Sequence, residues 1–231
     1  MGLRSAYRRA RYGPPHRAEL ALLAKYRDHT MLPEQRFVDS LGLARVGVAA
    51  GPGDIVECGT WRGGMSAAMA EHVGDAEHLS VLFDSFEGLP EPDLALDGER
   101  AVASMTDDPA LTYDNCRSSE EDARAAMAIS GRPYRLERGW FDDTVTKYAK
   151  EQRPIAVLRL DGDWYDSTIL CLRELFGLVI PGGVVIVDDY VDWPGCSRAV
   201  HDFLSEAQRP EPIMSTGAQT YLTITRSPPS P

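Results

Sequence analysis

Cysteine is scarce in this chain of 231 residues. The four present, Cys58, Cys116, Cys171 and Cys196, form no CxxC pair and no zinc-ligand spacing. That excludes a zinc ribbon and a disulfide-stapled scaffold, and the thiols are expected to be reduced, as in a cytoplasmic protein. Positive charge is also in deficit. Lys and Arg number 24 against 35 Asp and Glu, a formal net charge of −11, which argues against nucleic acid as the main ligand because phosphate backbones attract basic faces. No apolar run approaches the roughly 20 residues needed to span a bilayer. The opening segment MGLRSAYRRARYG lacks the apolar stretch of a signal peptide, and Ala6 stands where a myristoylation motif requires Ser or Thr. A cytoplasmic enzyme with no membrane partner is the expectation, its first arginines forming a solvated helical arm. There is no internal repeat and no biased tract apart from the terminal SPPSP.

What is present is an alternation of short apolar runs and amphipathic stretches. Residues 1–50 read as a mostly helical extension or lid, with Leu20, Leu22, Leu23 and Tyr26 on one apolar stripe and Phe37, Val38, Leu41 and Leu43 on another. Pro33 marks a helix start and Gly42 an end. Residues 51–226 read as one domain and 227–231 as a disordered tail. Strands are expected at IVECG, LSVLFD (79–84), YRLERG (134–139), IAVLRLD (155–161) and VVIVDD (184–189), separated by helices. These include 120–130, with Gly131 as its stop, and 167–179, capped by Ser167. Residues 87–115 have no clear period and read as a long loop with a helical turn. IMST and YLTITR form a closing antiparallel pair. Strand and helix in alternation predict a mostly parallel sheet with helices on both faces, and VLF, IAVL and VVIV are continuous apolar runs, as strands covered on both faces should be.

Ligands bind such sheets beyond the carboxyl ends of the strands. Strand one delivers Glu57, Gly59, Thr60, Trp61, Arg62, Gly63 and Gly64 there. The run GTWRGG lacks the second glycine of the dinucleotide fingerprint GxGxxG, so a pyrophosphate is disfavoured. A ligand with an amine and a sulfonium would instead favour an acid such as Glu57. Asp84, at the end of strand two beside Ser85, suits the two hydroxyls of an adenosine ribose. Strands four and five end in Asp161, Gly162 and Asp163, and in Asp188 and Asp189. Carboxylates gathered at one rim repel unless something positive lies between them. A hard divalent cation, Mg²⁺ above all, meets that need at Asp161, Asp188 and Asp189, and lowers the pKa of a bound hydroxyl. Asp161 or Asp163 could then take its proton. Trp140, Phe141, Trp164 and Tyr165 flank the rim and could sandwich adenine or an acceptor ring. His29 and His201 read as structural.

VECGTWRGGMS, FDSFEGLP, RGWFDDT, RLDGDWYDST and PGGVVIVDDY occur in the order and spacing of a known family, with DHTM (28–31) similar to its lid. Over roughly residues 25–205 the chain resembles the macrocin O-methyltransferase family, the TylF/MycF/NovP type. The resemblance implies a Rossmann-like class I methyltransferase fold, a seven-stranded sheet with an antiparallel C-terminal strand. It also implies S-adenosylmethionine as donor, Mg²⁺, a small-molecule acceptor with a hydroxyl group such as a sugar of a bacterial natural product, and a homodimer or larger oligomer. Carried over, the donor site falls on Glu57, Gly59, Trp61, Arg62, Gly63, Asp84 and Ser85. The metal falls on Asp161, Asp188 and Asp189, and the base on Asp161 or Asp163. The alternatives are a nicotinamide-dependent oxidoreductase on a related sheet and a non-catalytic adenosylmethionine-binding partner protein.

Overall fold

The computed structural model describes residues 17–74, 77–105 and 115–225; the basic arm and the expected tail lie outside them. Helices α1 (Arg17–Tyr26) and α2 (Glu34–Ala49) precede β1 (Asp54–Cys58). Then come α3 (Gly64–Val73), β2 (Ser80–Asp84), α4 (Leu94–Asp97), α5 (Glu99–Ser104), α6 (Glu120–Ser130), β3 (Tyr134–Arg138) and α7 (Phe141–Ala149). The last part runs β4 (Ile155–Leu160), α8 (Tyr165–Leu175), β5 (Val179–Val187), α9 (Pro194–Glu206), β6 (Met214–Ser215) and β7 (Thr220–Thr223).

The seven strands are ordered β3-β2-β1-β4-β5-β7-β6, parallel except that β7 runs antiparallel to both its neighbours. Alternation along each strand explains why both faces are apolar. Val56, Leu158, Val185 and Val187 join one core with side chains of α8 and α9. Ile55, Val157, Val184 and Ile186 join the other with α1, α2 and α3. Order reverses between β1 and β4, the point where an open α/β sheet forms its ligand crevice. There the Asp161 amide donates to the Cys58 carbonyl and the Gly59 amide to the Phe83 carbonyl.

Several expectations change. Gly42 does not end its helix, which continues to Ala49; nothing lies within reach of a side chain there, so glycine's only cost is its propensity. Leu20 is exposed, leaving Leu22, Leu23 and Tyr26 to face the core. Ser167 is not a cap. Its helix starts two residues earlier, after Trp164, and the free Tyr165 amide is accepted by Asp97 from the preceding insert. That insert holds two short helices, α4 and α5, the first capped by Asp93. β5 begins earlier than the expected VVIVDD run and takes in the PGG segment, where the Gly182 amide donates to the Ile224 carbonyl. It ends at Val187, so Asp188 and Asp189 lie just past the strand. Gly131 ends its helix in the left-handed conformation, as expected, and none of the four cysteines is in a disulfide.

Candidate active site

A cavity of about 670 Å³ opens at the switch point. At one end lies the turn after β1. Its glycines serve backbone approach. A Cβ on Gly59 (φ +88°) would lie 1.8 Å from the Asp161 carbonyl oxygen, and one on Gly64 would lie 2.4 Å from that of His29. Gly63 (φ +77°) abuts Ala123 of α6. Asp84 accepts the Trp61 amide on one oxygen and the Phe86 amide on the other, each at 2.7 Å. Burial raises its pKa, and those backbone donors pull it back. Thr60 adds a third backbone donor. Thus Asp84 caps the turn and still faces the cavity.

Glu57, Gly59, Thr60, Trp61, Asp84, Ser85 and Trp140 all line the cavity, whereas Arg62 and Gly63 do not reach its wall. The Arg62 guanidinium lies 4.5 Å over the Trp61 ring. Trp140 is 40% exposed and presents its ring to solvent and cavity, with Phe141 beside it. Trp164 is buried, donates to the Pro90 carbonyl and packs edge-on against Trp193, so it is a core side chain. Tyr165 donates to Asp202, and His201 pairs with Tyr190; neither lines the cavity. His29 does line it.

At the other end stand the carboxylates. Asp161, Asp188 and Asp189 each bring an oxygen to within 4.8 Å of the others. Between them lies a cation that the sequence reading passed over, Arg159 of β4, 1% exposed. Strand register sets it opposite Glu57. It donates at 2.6 Å to Glu57, to Asp161 and to Asp188. Burial opposes its charge, but Asp161, Asp188 and Glu57 more than restore it and hold its pKa well above the ordinary value. The signal was legible: an arginine inside the apolar run IAVLRL cannot be buried without partners. Glu57 is thereby spent. Besides Arg159 it accepts from Ser66 and Thr60, so its charge is met inside the protein.

Arg159 does not balance the rim. Arg36 of α2 approaches Asp188 and Asp192 at 3.2 and 2.7 Å. Among the described residues these two guanidiniums hold four carboxylates, Glu57, Asp161, Asp188 and Asp192, and pair with neither Asp163 nor Asp189, while Arg100 on the cavity wall donates to the Asp192 carbonyl at 3.0 Å. The deficit is visible in the proton affinities. Burial, then the nearby Asp163, Asp161 and Asp188, pushes Asp189 well above the carboxylate range. Asp161 is raised to about 8 by burial, against the pull of Arg159, with Asp188, Asp163 and Glu57 adding to the rise. Asp163 rises to about 7, again by burial first, although the Trp193 indole donates to it at 2.8 Å. Its own amide, on a residue with φ of +58°, donates to Asp189 at 3.0 Å. An all-oxygen donor set with excess negative charge suits a hard divalent cation.

The family model for Macrocin-O-methyltransferase (TylF) matches residues 10–221. The 8-demethyl-8-(2,3-dimethoxy-alpha-L-rhamnosyl)-tetracenomycin-C 4'-O-methyltransferase of Streptomyces olivaceus is 35% identical over 80% of this chain and 71% of its own. The mycinamicin III 3''-O-methyltransferase of Micromonospora griseorubida is 29% identical over 76% of this chain and 70% of its own. Among solved structures, the O-methyltransferase NovP superposes with a TM-score of 0.73 and 29% identity, over 86% of this chain and 83% of that one. All three are methyltransferases by name, which sets the oxidoreductase alternative aside. With its seven-stranded sheet of the class I methyltransferase type and a family match along nearly its whole length, the chain belongs to the macrocin O-methyltransferase family and is an O-methyltransferase.

Proposed function

We propose that the protein transfers the methyl group of S-adenosylmethionine to a hydroxyl of a sugar carried by a bacterial natural product, with Mg²⁺ held by Asp161, Asp188 and Asp189. One observation carries the reading: the three carboxylates open into the same cavity as Asp84 and the turn after β1. The sugar is suggested by the relatives, one named for a rhamnosyl 4'-position.

The donor would supply an electrophilic methyl, and the cation would lower the pKa of the acceptor hydroxyl. The chain's own residues do the rest. Asp84, oriented by the amides of Trp61 and Phe86, offers its remaining acceptor capacity to the ribose hydroxyls. Trp140 and Phe141 offer ring faces to adenine or to the acceptor. Asp161 is better placed than Asp163 to receive the acceptor proton. Its side chain is 28% exposed, whereas Asp163 is buried with one oxygen held by the Trp193 indole. Arg159 fixes Asp161 and Asp188 in place and offsets the repulsion between them. Most of the acceleration comes from holding oxygen and methyl in attack geometry.

The test is methyl transfer from labelled S-adenosylmethionine to a panel of glycosides, with EDTA and Mg²⁺ as the two arms. Full turnover in EDTA overturns the metal; turnover on free phenols but not glycosides overturns the acceptor.

A further inference from the structure

The carboxylate rim has a second cation of its own, less buried than Arg159. Arg36 belongs to α2, and its guanidinium lines the cavity with a side chain 18% exposed. Its Nη1 lies 3.2 Å from Asp188 Oδ2 and 2.7 Å from Asp192 Oδ2. The other oxygen of Asp188 is taken, by Arg159 Nη2 at 2.6 Å and Gln219 Nε2 at 3.0 Å. The oxygen of Asp188 left for any further ligand is therefore the one on which Arg36 rests.

The two arginines of the rim differ in their freedom. Arg159 is wholly buried and bound by three acids; moving it would strand all of them. Arg36 is partly exposed, and its shorter bond goes to Asp192, whose side chain is 40% exposed. It can give up Asp188 and keep a partner. A guanidinium and a divalent cation on the same oxygen repel, and in a partly buried site that repulsion is weakly screened.

We propose that Arg36 is a built-in counter-cation of Asp188, which a divalent cation displaces on to Asp192, so that filling the rim shifts the guanidinium carried by α2. The inference rests on the reading of Asp161, Asp188 and Asp189 as a metal site. Coupling is reciprocal. If the metal drives Arg36 off Asp188, Arg36 must weaken the metal.

That sign is the test, read by calorimetric titration of the whole chain with Mg²⁺. Arg36→Gln keeps a hydrogen-bond donor and loses the charge; it should bind Mg²⁺ at least about fivefold tighter than the native chain. Arg36→Lys keeps the charge and should bind like the native chain. Asp192→Asn removes the alternative partner; it should weaken Mg²⁺ binding, and do so much less in the Arg36→Gln background. Unchanged or weaker binding by Arg36→Gln would mean that Arg36 merely orients Asp188, and would overturn the proposal. So would an Asp192→Asn effect of equal size in both backgrounds; should Arg36→Gln prove unstable, Asp192→Asn in the native background decides, weaker Mg²⁺ binding supporting the proposal and unchanged or tighter binding overturning it. A native chain that binds no Mg²⁺ at all would remove the metal reading itself, a result distinct from either.

Discussion

The two ends of the central strands treat buried charge in opposite ways. At the amino end of β1, Asp54 is 4% exposed and fully met. Arg153 clasps both its oxygens, at 2.6 and 2.7 Å, and Tyr148 donates at 2.7 Å. Each group there has a partner, the one charge has one counter-charge, and nothing lines the cavity. At the carboxyl ends of β4 and β5 the ratio is inverted, several acids to each guanidinium, and the surplus faces the cavity. Burying charge costs the fold unless it is matched. A matched set serves stability, and an unmatched set that opens into a cavity is held for something that arrives later.

This contrast can be broken from either side. The largest effect is expected at the unmatched end. Asp189→Asn should lower turnover by about 10³-fold, while binding of S-adenosylhomocysteine survives and the unfolding midpoint does not fall, since a like charge has been removed and no guanidinium loses its partner. Kinetics beside a thermal melt checks it; a variant that melts markedly lower would mean this acid belongs to the structural class after all. Arg159→Met should cost about 3–5 kcal/mol in urea unfolding, because it strands Glu57, Asp161 and Asp188 together. A neutral result would mean that those acids are already protonated or hydrated. At the matched end, Asp54→Ala should cost about 2 kcal/mol by leaving the buried Tyr148 hydroxyl without its acceptor, with turnover per folded molecule unchanged. Loss of turnover there would erase the distinction between the two ends. The smallest effect is that of the ion alone. Mg²⁺ at a tenfold excess over its dissociation constant should add about 1.4 kcal/mol to the stability of the native chain and nothing to Asp189→Asn, read from melts with and without EDTA.

Much of this was legible in the chain itself. Continuous apolar runs such as VVIV announced strands covered on both faces, and the acids closing them marked the rim. Where the reading failed, a contact distant in sequence had intervened. Ser167 resembled a cap, but Asp97, 68 residues before Tyr165, supplies the acceptor for the Tyr165 amide, the first free one of α8. Glu57 resembled a free acid beside the glycines, but Arg159, 102 residues later, consumes its charge. The insert lacked a period because α4 and α5 are too short to display one.

The sequence by itself determined which segments are strands, in what order they alternate with helices, and that carboxylates gather where β1, β2, β4 and β5 end, because apolar alternation and strand length are local properties. Only the tertiary structure decided which charges neutralise which. Parallel register sets Arg159 beside Glu57 and between Asp161 and Asp188, and packing of α2 brings Arg36 to Asp188 across 152 positions. Coulomb energy depends on distance in space and on burial, and neither can be counted along a chain.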